Sequence, residues 1–147
     1  MKNLKISNTY NYNKAISILE SKGIRPTSQR KILAKLIFES GNRHINAEEL
    51  HKETKDRNHK ISLATIYNTL KQFSSYGLIK EIVVDQSKSM YCNNHQPHYH
   101  LYIEDEEKII DIPRDNINLS NIASIPACLN LHNIDIIVRI RTLKENT

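Results

Sequence analysis

Histidines and an aspartate stand close together in the stretch NNHQPHYHLYIEDEEKIIDIP, which covers residues 93–113. His98 and His100 lie in a segment that alternates like a strand, so their imidazoles project from the same face of it. Asp111 ends the next predicted strand and reaches the same place. Two neutral imidazoles and a carboxylate suit Fe, Mn or Zn and leave a coordination position open. The spacing therefore predicts a metal site, with a histidine-rich loop that binds nothing as the alternative.

The composition limits the class of protein that can carry these residues. The chain has 147 residues, 39% of them hydrophobic and 25% charged, which suits one core or two small lobes. No apolar run approaches the length of a membrane span, and the polar start MKNLKISNTYNYNK carries no secretory signal. We therefore expect a soluble cytoplasmic protein. Two isolated cysteines, Cys92 and Cys128, argue against a disulfide framework and a thiolate zinc clip.

The charge is divided unevenly along the chain. Residues 1–90 hold 16 Lys and Arg against 8 Asp and Glu, whereas residues 91–147 hold 5 against 8. A basic half joined to a mildly acidic half indicates one lobe that faces a polyanion and one with another task. An unevenly charged but otherwise ordinary surface is the alternative.

Helical segments and a hairpin follow one another in the basic half. Apolar spacing predicts a first helix over residues 13–22, stopped by Gly23. Residues able to cap stand at the starts of three further helices: Thr27, Asn46 and Ser62. Alternating β-branched residues around a polar turn at 85–87 predict a hairpin. Helices followed by a hairpin in a basic lobe predict a winged helix-turn-helix DNA-binding domain over residues 1–90.

The start of the fourth helix should face the bases of a DNA major groove. The residues off its apolar stripe are the candidates for contact: Ser62, Ala64, Thr65, Tyr67, Asn68 and Lys71. Tyr67 offers a flat ring for thymine methyl groups, and Thr65 and Asn68 offer hydrogen bonds. Each of these residues alone could equally be an ordinary exposed side chain.

The second half, residues 91–147, contains no long helix. The segments HYHLYIE, EKIIDIP and NIDIIVRIR predict three strands, the last with Ile134, Ile136 and Val138 on one face. A short helix is predicted over residues 115–126. Such a lobe buries little surface alone, so we expect a small α/β dimerisation domain that pairs with its twin. The fold class is thus α/β of the α+β kind.

These motifs together resemble the ferric uptake regulator family. GIRPTSQRKIL, HINAEELH, ISLATIYNTL, YGLIKEI and HYHLYIEDEEKIIDI run in the family's order across residues 23–112. The resemblance implies a homodimeric repressor with a regulatory metal site between its domains. It implies metal ligands at His44, His98, His100 and Asp111, a minor-groove contact at Arg25 and a thymine contact at Tyr67. A ligand that bridges His44 to the second domain would change the spacing of the two recognition helices on a palindromic site.

The chain also departs from the family pattern. The first of the family's zinc-binding cysteine pairs would lie at Ile103 and Glu106, so we expect no structural zinc. An acidic ligand of the family falls at Cys92, where a thiolate would replace it. The family's later histidine aligns with Ile134, which leaves His132 two positions early.

Within the family, the chain is similar to the haem-responsive iron response regulators of alphaproteobacteria. They lack the zinc cysteines and share the pattern of SLATIYNTL and IDIIVRIR. This resemblance implies that the protein binds AT-rich control elements of iron homeostasis and haem synthesis genes when iron is scarce, and that haem inactivates it. His98 and His100 would then ligate haem iron, because no Cys-Pro dipeptide is present.

Three alternatives stay open. The closest is a repressor of the same family that uses Fe(II) or Mn(II) as co-repressor at the four proposed ligands. A metalloenzyme has little support, because no acid is placed as a general base and three glycines form no phosphate loop. The third is a dimeric DNA binder whose histidines have no regulatory role.

Overall fold

The computed structural model describes residues 11–119 and 125–144. The chain divides into two compact units between Gln96 and Pro97. In the described part, no helix is long and apolar enough to cross a membrane. The confirmed fold class is a mixture of helices and sheets; among the described residues the α-helices lie in the first unit, and each unit has a small sheet.

Four helices build the first unit: α1 (Tyr12–Ser21), α2 (Ser28–Phe38), α3 (Ala47–Asp56) and α4 (Leu63–Ser75). Each begins where a side-chain oxygen accepts a backbone N–H from the first turn, which satisfies a donor that the helix itself cannot. The capping residues are Asn11, Thr27, Asn46 and Ser62. The three caps predicted from the sequence are confirmed. Gly23 and Gly77 follow α1 and α4 with positive φ, as helix stops require.

The apolar stripes of these helices form the core of the unit. Its fully buried side chains include Leu19, Leu33, Ile37, Leu50, Ile66, Leu70 and Phe73. Ile32 and Leu63, which the helical pattern also predicts as inward-facing, are partly buried at the edge of this cluster. The core fixes which face of α4 points away from the protein.

A three-stranded sheet completes the first unit. β2 (Lys80–Val83) and β3 (Ser89–Cys92) form the predicted hairpin, and β1 (His44–Ile45) pairs with the other edge of β3. The sequence pattern did not predict β1. In the hairpin turn, Ser87 donates its backbone N–H and its hydroxyl to Asp85 Oδ1, and these bonds lower the pKa of Asp85.

The predicted division after residue 90 falls inside β3, whereas the compact units divide six residues later. Asn93 explains the difference. Its buried side chain donates to the carbonyl oxygens of Ile37 and Gly41 at 2.7 and 2.9 Å and accepts from the Arg43 N–H at 2.7 Å. The chain therefore stays attached to the first unit beyond the end of the strand.

The second unit is built on β4 (His98–Ile103), β5 (Lys108–Pro113) and β6 (Ile137–Ile140). The strand order is β5-β4-β6, with β4 antiparallel to β5 and parallel to β6. The third predicted strand is shorter than expected, because Ile134 and Ile136 precede β6.

The helix predicted over residues 115–126 is not found where the structure describes it. A short 3-10 helix, Arg114–Asn116, overlaps its start, and residues 117–119, 125 and 126 are not helical. Residues 120–124 lie outside the described residues. The segment is rich in Asn and Ser, which compete with the helical backbone for hydrogen bonds, so its apolar spacing alone was a weak helix signal.

Candidate metal centre and nucleic-acid interface

The second unit brings His98, His100 and Asp111 together. The two histidines lie two residues apart on β4 and therefore share a face, and Asp111 is the register partner of His100 on β5. The Nε2 atoms of His98 and His100 are 2.9 Å apart, and they lie 3.2 and 3.5 Å from Asp111 Oδ1. Three donor atoms thus form a small triangle at the surface of the sheet.

The size of this triangle fits a metal ion. Metal–ligand bonds of about 2.0–2.2 Å, at ligand–metal–ligand angles of about 90–109°, place neighbouring ligands about 2.8–3.6 Å apart, a range that includes all three edges. Neutral imidazole nitrogens and a carboxylate oxygen are the donors of the two-histidine, one-carboxylate arrangement. His100 is buried, and the side chains of His98 and Asp111 are 8% and 26% exposed, so open water competes little for these atoms.

The first unit brings a histidine and a cysteine together. His44 on β1 is the register partner of Cys92 on β3, and the ligand atoms of the two side chains lie within 4.8 Å of each other. Cys92 is buried, and its Sγ accepts the backbone N–H of Asn94 at 3.4 Å. The predicted ligand His44 therefore belongs to the winged-helix unit, and the other three predicted ligands belong to the second unit.

The outer face of α4 carries the predicted DNA contacts. Its exposed residues recur at helical spacing on one side: Ala64, Tyr67, Asn68, Lys71 and Ser75. Ser62 and Thr65 are engaged in the helix start, because the Ser62 hydroxyl accepts the Thr65 N–H and donates to the Thr65 hydroxyl. Arg25 is exposed in the loop between α1 and α2. The face is polar and carries a positive charge, as a DNA-binding surface requires.

A cleft between α2 and α4 borders this face. It encloses about 370 Å³ and is lined by residues such as Thr27, Asn68 and Gln72. Arg30 joins its walls: Nε donates to Gln72 Oε1 at 3.0 Å, and Nη1 donates to the backbone oxygen of Arg25 at 2.8 Å. No sequence pattern singles out Arg30, since only the packing of the two helices places its guanidinium at the Arg25 loop.

Glu48 is a second residue that the sequence analysis missed. The Tyr67 hydroxyl donates a hydrogen bond to its carboxylate, which raises the pKa of Tyr67 above the usual phenol value. Nearby, burial raises the pKa of Tyr91 to about 12. No local sequence signal marks Glu48, because its partner lies 19 residues away on another helix.

A winged-helix unit with an exposed polar helix face, followed by a unit with a metal-type triad, is typical of ligand-responsive DNA-binding regulators. Residues 21–138 match the model of the ferric uptake regulator family. The chain therefore belongs to the ferric uptake regulator family of metal-dependent transcription regulators, whose members are not enzymes.

Similarity to individual proteins agrees with this assignment. The chain is 34% identical over 104 residues to a peroxide-responsive repressor of Staphylococcus aureus (strain Mu50 / ATCC 700699), which covers 71% of this chain and 70% of that protein. The solved Vibrio cholerae ferric uptake regulator shares the fold with a TM-score of 0.68 at 23% identity, covering 86% of this chain and 98% of that one. The Pseudomonas aeruginosa ferric uptake regulator, solved with manganese, gives a TM-score of 0.66 at 20% identity, covering 87% and 97%.

Proposed function

We propose that the protein is a homodimeric transcriptional repressor that uses Fe(II) or Mn(II) as co-repressor. The observation that carries the proposal is the convergence of His98, His100 and Asp111 donor atoms at the distances that ligands of one ion adopt. We further propose His44 as a ligand from the DNA-binding domain.

Each proposed ligand has a distinct role in such a site. His98 and His100 offer nitrogen lone pairs only while their imidazoles are neutral, and the Asp111 carboxylate supplies the negative charge that offsets a divalent cation. A bound ion would hold these groups in a fixed arrangement. The contribution of His44 would tie the orientation of the winged helix to the second domain. In a dimer, that orientation decides whether two α4 helices match two half-sites of one operator.

The same geometry favours an ion over haem. Haem iron is held by the protein through axial positions on opposite faces of a flat ring. His98, His100 and Asp111 instead place three donors around one point, which suits a small cation. The similar proteins include a peroxide-responsive repressor and a regulator solved with manganese. We therefore propose a metal ion as the co-repressor. The alternative, in which haem is the regulatory ligand and binds to His98 and His100, is examined by adding haem in the test below.

DNA recognition is assigned to the outer face of α4. We propose that Tyr67 contacts thymine methyl groups, that Thr65 and Asn68 reach base edges, and that Lys71 contacts a phosphate. Ser62 caps the helix and brings its first turn to the groove. Arg25 would enter the adjacent minor groove, where narrow AT-rich sequence attracts arginine. These roles imply an AT-rich palindromic operator. That the operator controls genes of iron homeostasis is proposed from the family resemblance alone.

The test is fluorescence anisotropy with full-length, metal-stripped protein. The probe is a duplex that the manganese-loaded protein selects from a random-sequence library, with a scrambled duplex as control. We expect the stripped protein to bind the probe weakly and Mn²⁺ or Fe²⁺ to tighten binding. Binding by stripped protein that haem then abolishes would overturn the co-repressor proposal and favour the haem-responsive alternative.

A matched pair of variants locates the response. His98→Ala should abolish the effect of metal and leave the weak metal-free binding unchanged. His132→Ala changes an exposed histidine of the same unit that lies outside the triad, so its metal response should equal that of the wild type. An unchanged response in His98→Ala would remove the triad from the regulatory site.

A further inference from the structure

Glu48 contacts the residue on which the proposed base recognition rests. It is the second residue of α3, and its side chain is exposed on the surface of the winged-helix unit. Tyr67 projects from α4, and its hydroxyl donates to the Glu48 carboxylate. The contact joins the two helices of the helix-turn-helix on the side away from the core.

Both ends of this contact are held in place by the fold. The start of α3 is fixed by the Asn46 cap and by buried Leu50, and Ile66 anchors α4 in the core beside Tyr67. A tyrosine side chain has two soft torsions, so a hydrogen bond at its far end restricts the whole ring. Tyr67 nevertheless stays 40% exposed, which leaves a large part of the ring free for a ligand.

The charge of Glu48 is unfavourable on a surface that meets phosphates, because carboxylates repel the DNA backbone. A neutral residue at this position would bind DNA better by charge alone. The carboxylate is, however, the strongest available acceptor for a phenol O–H, and this hydrogen bond raises the pKa of Tyr67. Glu48 thus weakens the electrostatic attraction to DNA but restricts the orientation of the Tyr67 ring.

We propose that Glu48 is a positioning residue for DNA recognition, whose carboxylate holds the Tyr67 ring in the orientation that contacts thymine methyl groups. The inference rests on the proposed function, because it assumes that Tyr67 faces DNA. It assigns to α3 a part in sequence selection without a base contact of its own.

The first experiment compares affinities for two versions of one duplex. The probe is the duplex selected from a random library by manganese-loaded wild-type protein, made with thymine or with uracil, which lacks the methyl group. We expect a preference for thymine of roughly fourfold per contacted methyl. Glu48→Ala should lower this ratio towards one, whereas Glu48→Gln should keep most of it, because the amide oxygen still accepts the phenol hydrogen bond.

Glu49→Ala is the matched control. It removes the same charge from the same exposed turn of α3, so it should raise affinity for both duplexes equally and leave the thymine ratio unchanged. A Glu48→Ala protein that behaves like Glu49→Ala would show that Glu48 acts only through its charge, and the inference would then be overturned.

A double-mutant cycle tests whether Glu48 acts through the tyrosine. Tyr67→Phe keeps the ring and removes the hydroxyl, so adding Glu48→Ala to it should change the ratio no further. An undiminished effect in the Phe background would show that Glu48 changes the thymine ratio without its contact to the Tyr67 hydroxyl, and would overturn the inference.

Tyr67→Ala separates failure of the inference from failure of the proposed function. If this variant keeps the wild-type thymine ratio, the recognition role of α4 fails together with that of Glu48. If it loses the ratio while Glu48→Ala keeps it, only the positioning role fails.

Discussion

Some contacts between individual side chains could be predicted from the sequence, and others could not. His98, His100 and Asp111 could be predicted as neighbours, because the period of a strand and the register of a hairpin are both local rules. The contact between Glu48 and Tyr67 could not, since it depends on how two helices pack. Arg30 escaped prediction for the same reason. The sequence thus indicated the metal-type donors better than the contacts that α4 makes with neighbouring segments.

Asp111 carries the only negative charge of the triad, so its loss should weaken metal binding most clearly. We expect Asp111→Asn to lower Mn²⁺ affinity by at least roughly 10- to 100-fold, the loss that even outer-shell partners of metal ligands produce. Isothermal titration calorimetry measures the change. Asp115→Asn, at an exposed acid four residues after Asp111, should bind Mn²⁺ like the wild type. Equal affinity in the two variants would contradict the proposed coordination.

Lys71 lies on the exposed face of α4 and is proposed to contact a phosphate. Lys71→Ala should weaken binding to the selected duplex and to random DNA alike, because a phosphate contact carries no sequence information. The plot of log affinity against log salt concentration should lose about one unit of slope. A loss confined to the selected duplex would instead indicate a base contact.

At the scale of elements, the four helices follow from local sequence and the irregular segments do not. Caps, apolar stripes and glycine stops act within a few residues, and the structure confirms them. β1 has two residues and pairs with a strand about 47 positions later, so no periodicity could reveal it. The predicted C-terminal strand is longer than β6. Its apolar alternation begins at Ile134, three residues before pairing with β4 starts at Ile137.

Asn93 joins three parts of the first unit, namely the end of α2, the turn at Gly41 and the end of β3. Asn93→Ala would leave the part-buried N–H of Arg43 and the carbonyl oxygens of Ile37 and Gly41 without these bonds. We expect a loss of about 2–4 kcal/mol in the free energy of unfolding, measured by urea denaturation. Asn42→Ala, at an exposed position nearby, should cost little. Equal stability of the two variants would contradict this account of the link.

The turn between β4 and β5 is tied to the end of the chain's last described strand by polar contacts. Arg141 Nε donates to Glu104 Oε2 at 2.7 Å, and the Thr142 N–H donates to Asp105 Oδ1 at 2.9 Å. The hydrogen bonds from Thr142 lower the pKa of Asp105. These contacts occupy the region where the family pattern would place a zinc-binding cysteine pair.

Folding should therefore not require a structural zinc. We expect excess EDTA to leave the far-ultraviolet circular dichroism of the protein unchanged, while added Mn²⁺ raises the melting temperature through binding to the folded state alone. Unfolding on chelation would show that a metal is part of the folded structure and would contradict the expectation.

At the scale of the whole molecule, the uneven charge and the order of motifs were enough to predict a DNA-binding half and a sensing half. The regulatory ligand was harder to predict. Histidines that suit both haem and a metal ion do not by themselves separate branches of one family, and the geometry of three converging donors was needed to favour the ion. The choice between haem and a metal ion thus depends on the three-dimensional arrangement of the donor atoms, whereas the division into a DNA-binding half and a sensing half could be predicted from the sequence.

The central claim is that metal and DNA binding are coupled, and coupling between two binding equilibria must be reciprocal. The decisive measurement is the Mn²⁺ affinity of the full-length protein, determined with and without saturating selected duplex. The account predicts that DNA tightens Mn²⁺ binding by the same factor by which Mn²⁺ tightens DNA binding, and that His98→Ala removes both effects. An Mn²⁺ affinity that is identical in the free and DNA-bound protein would contradict it.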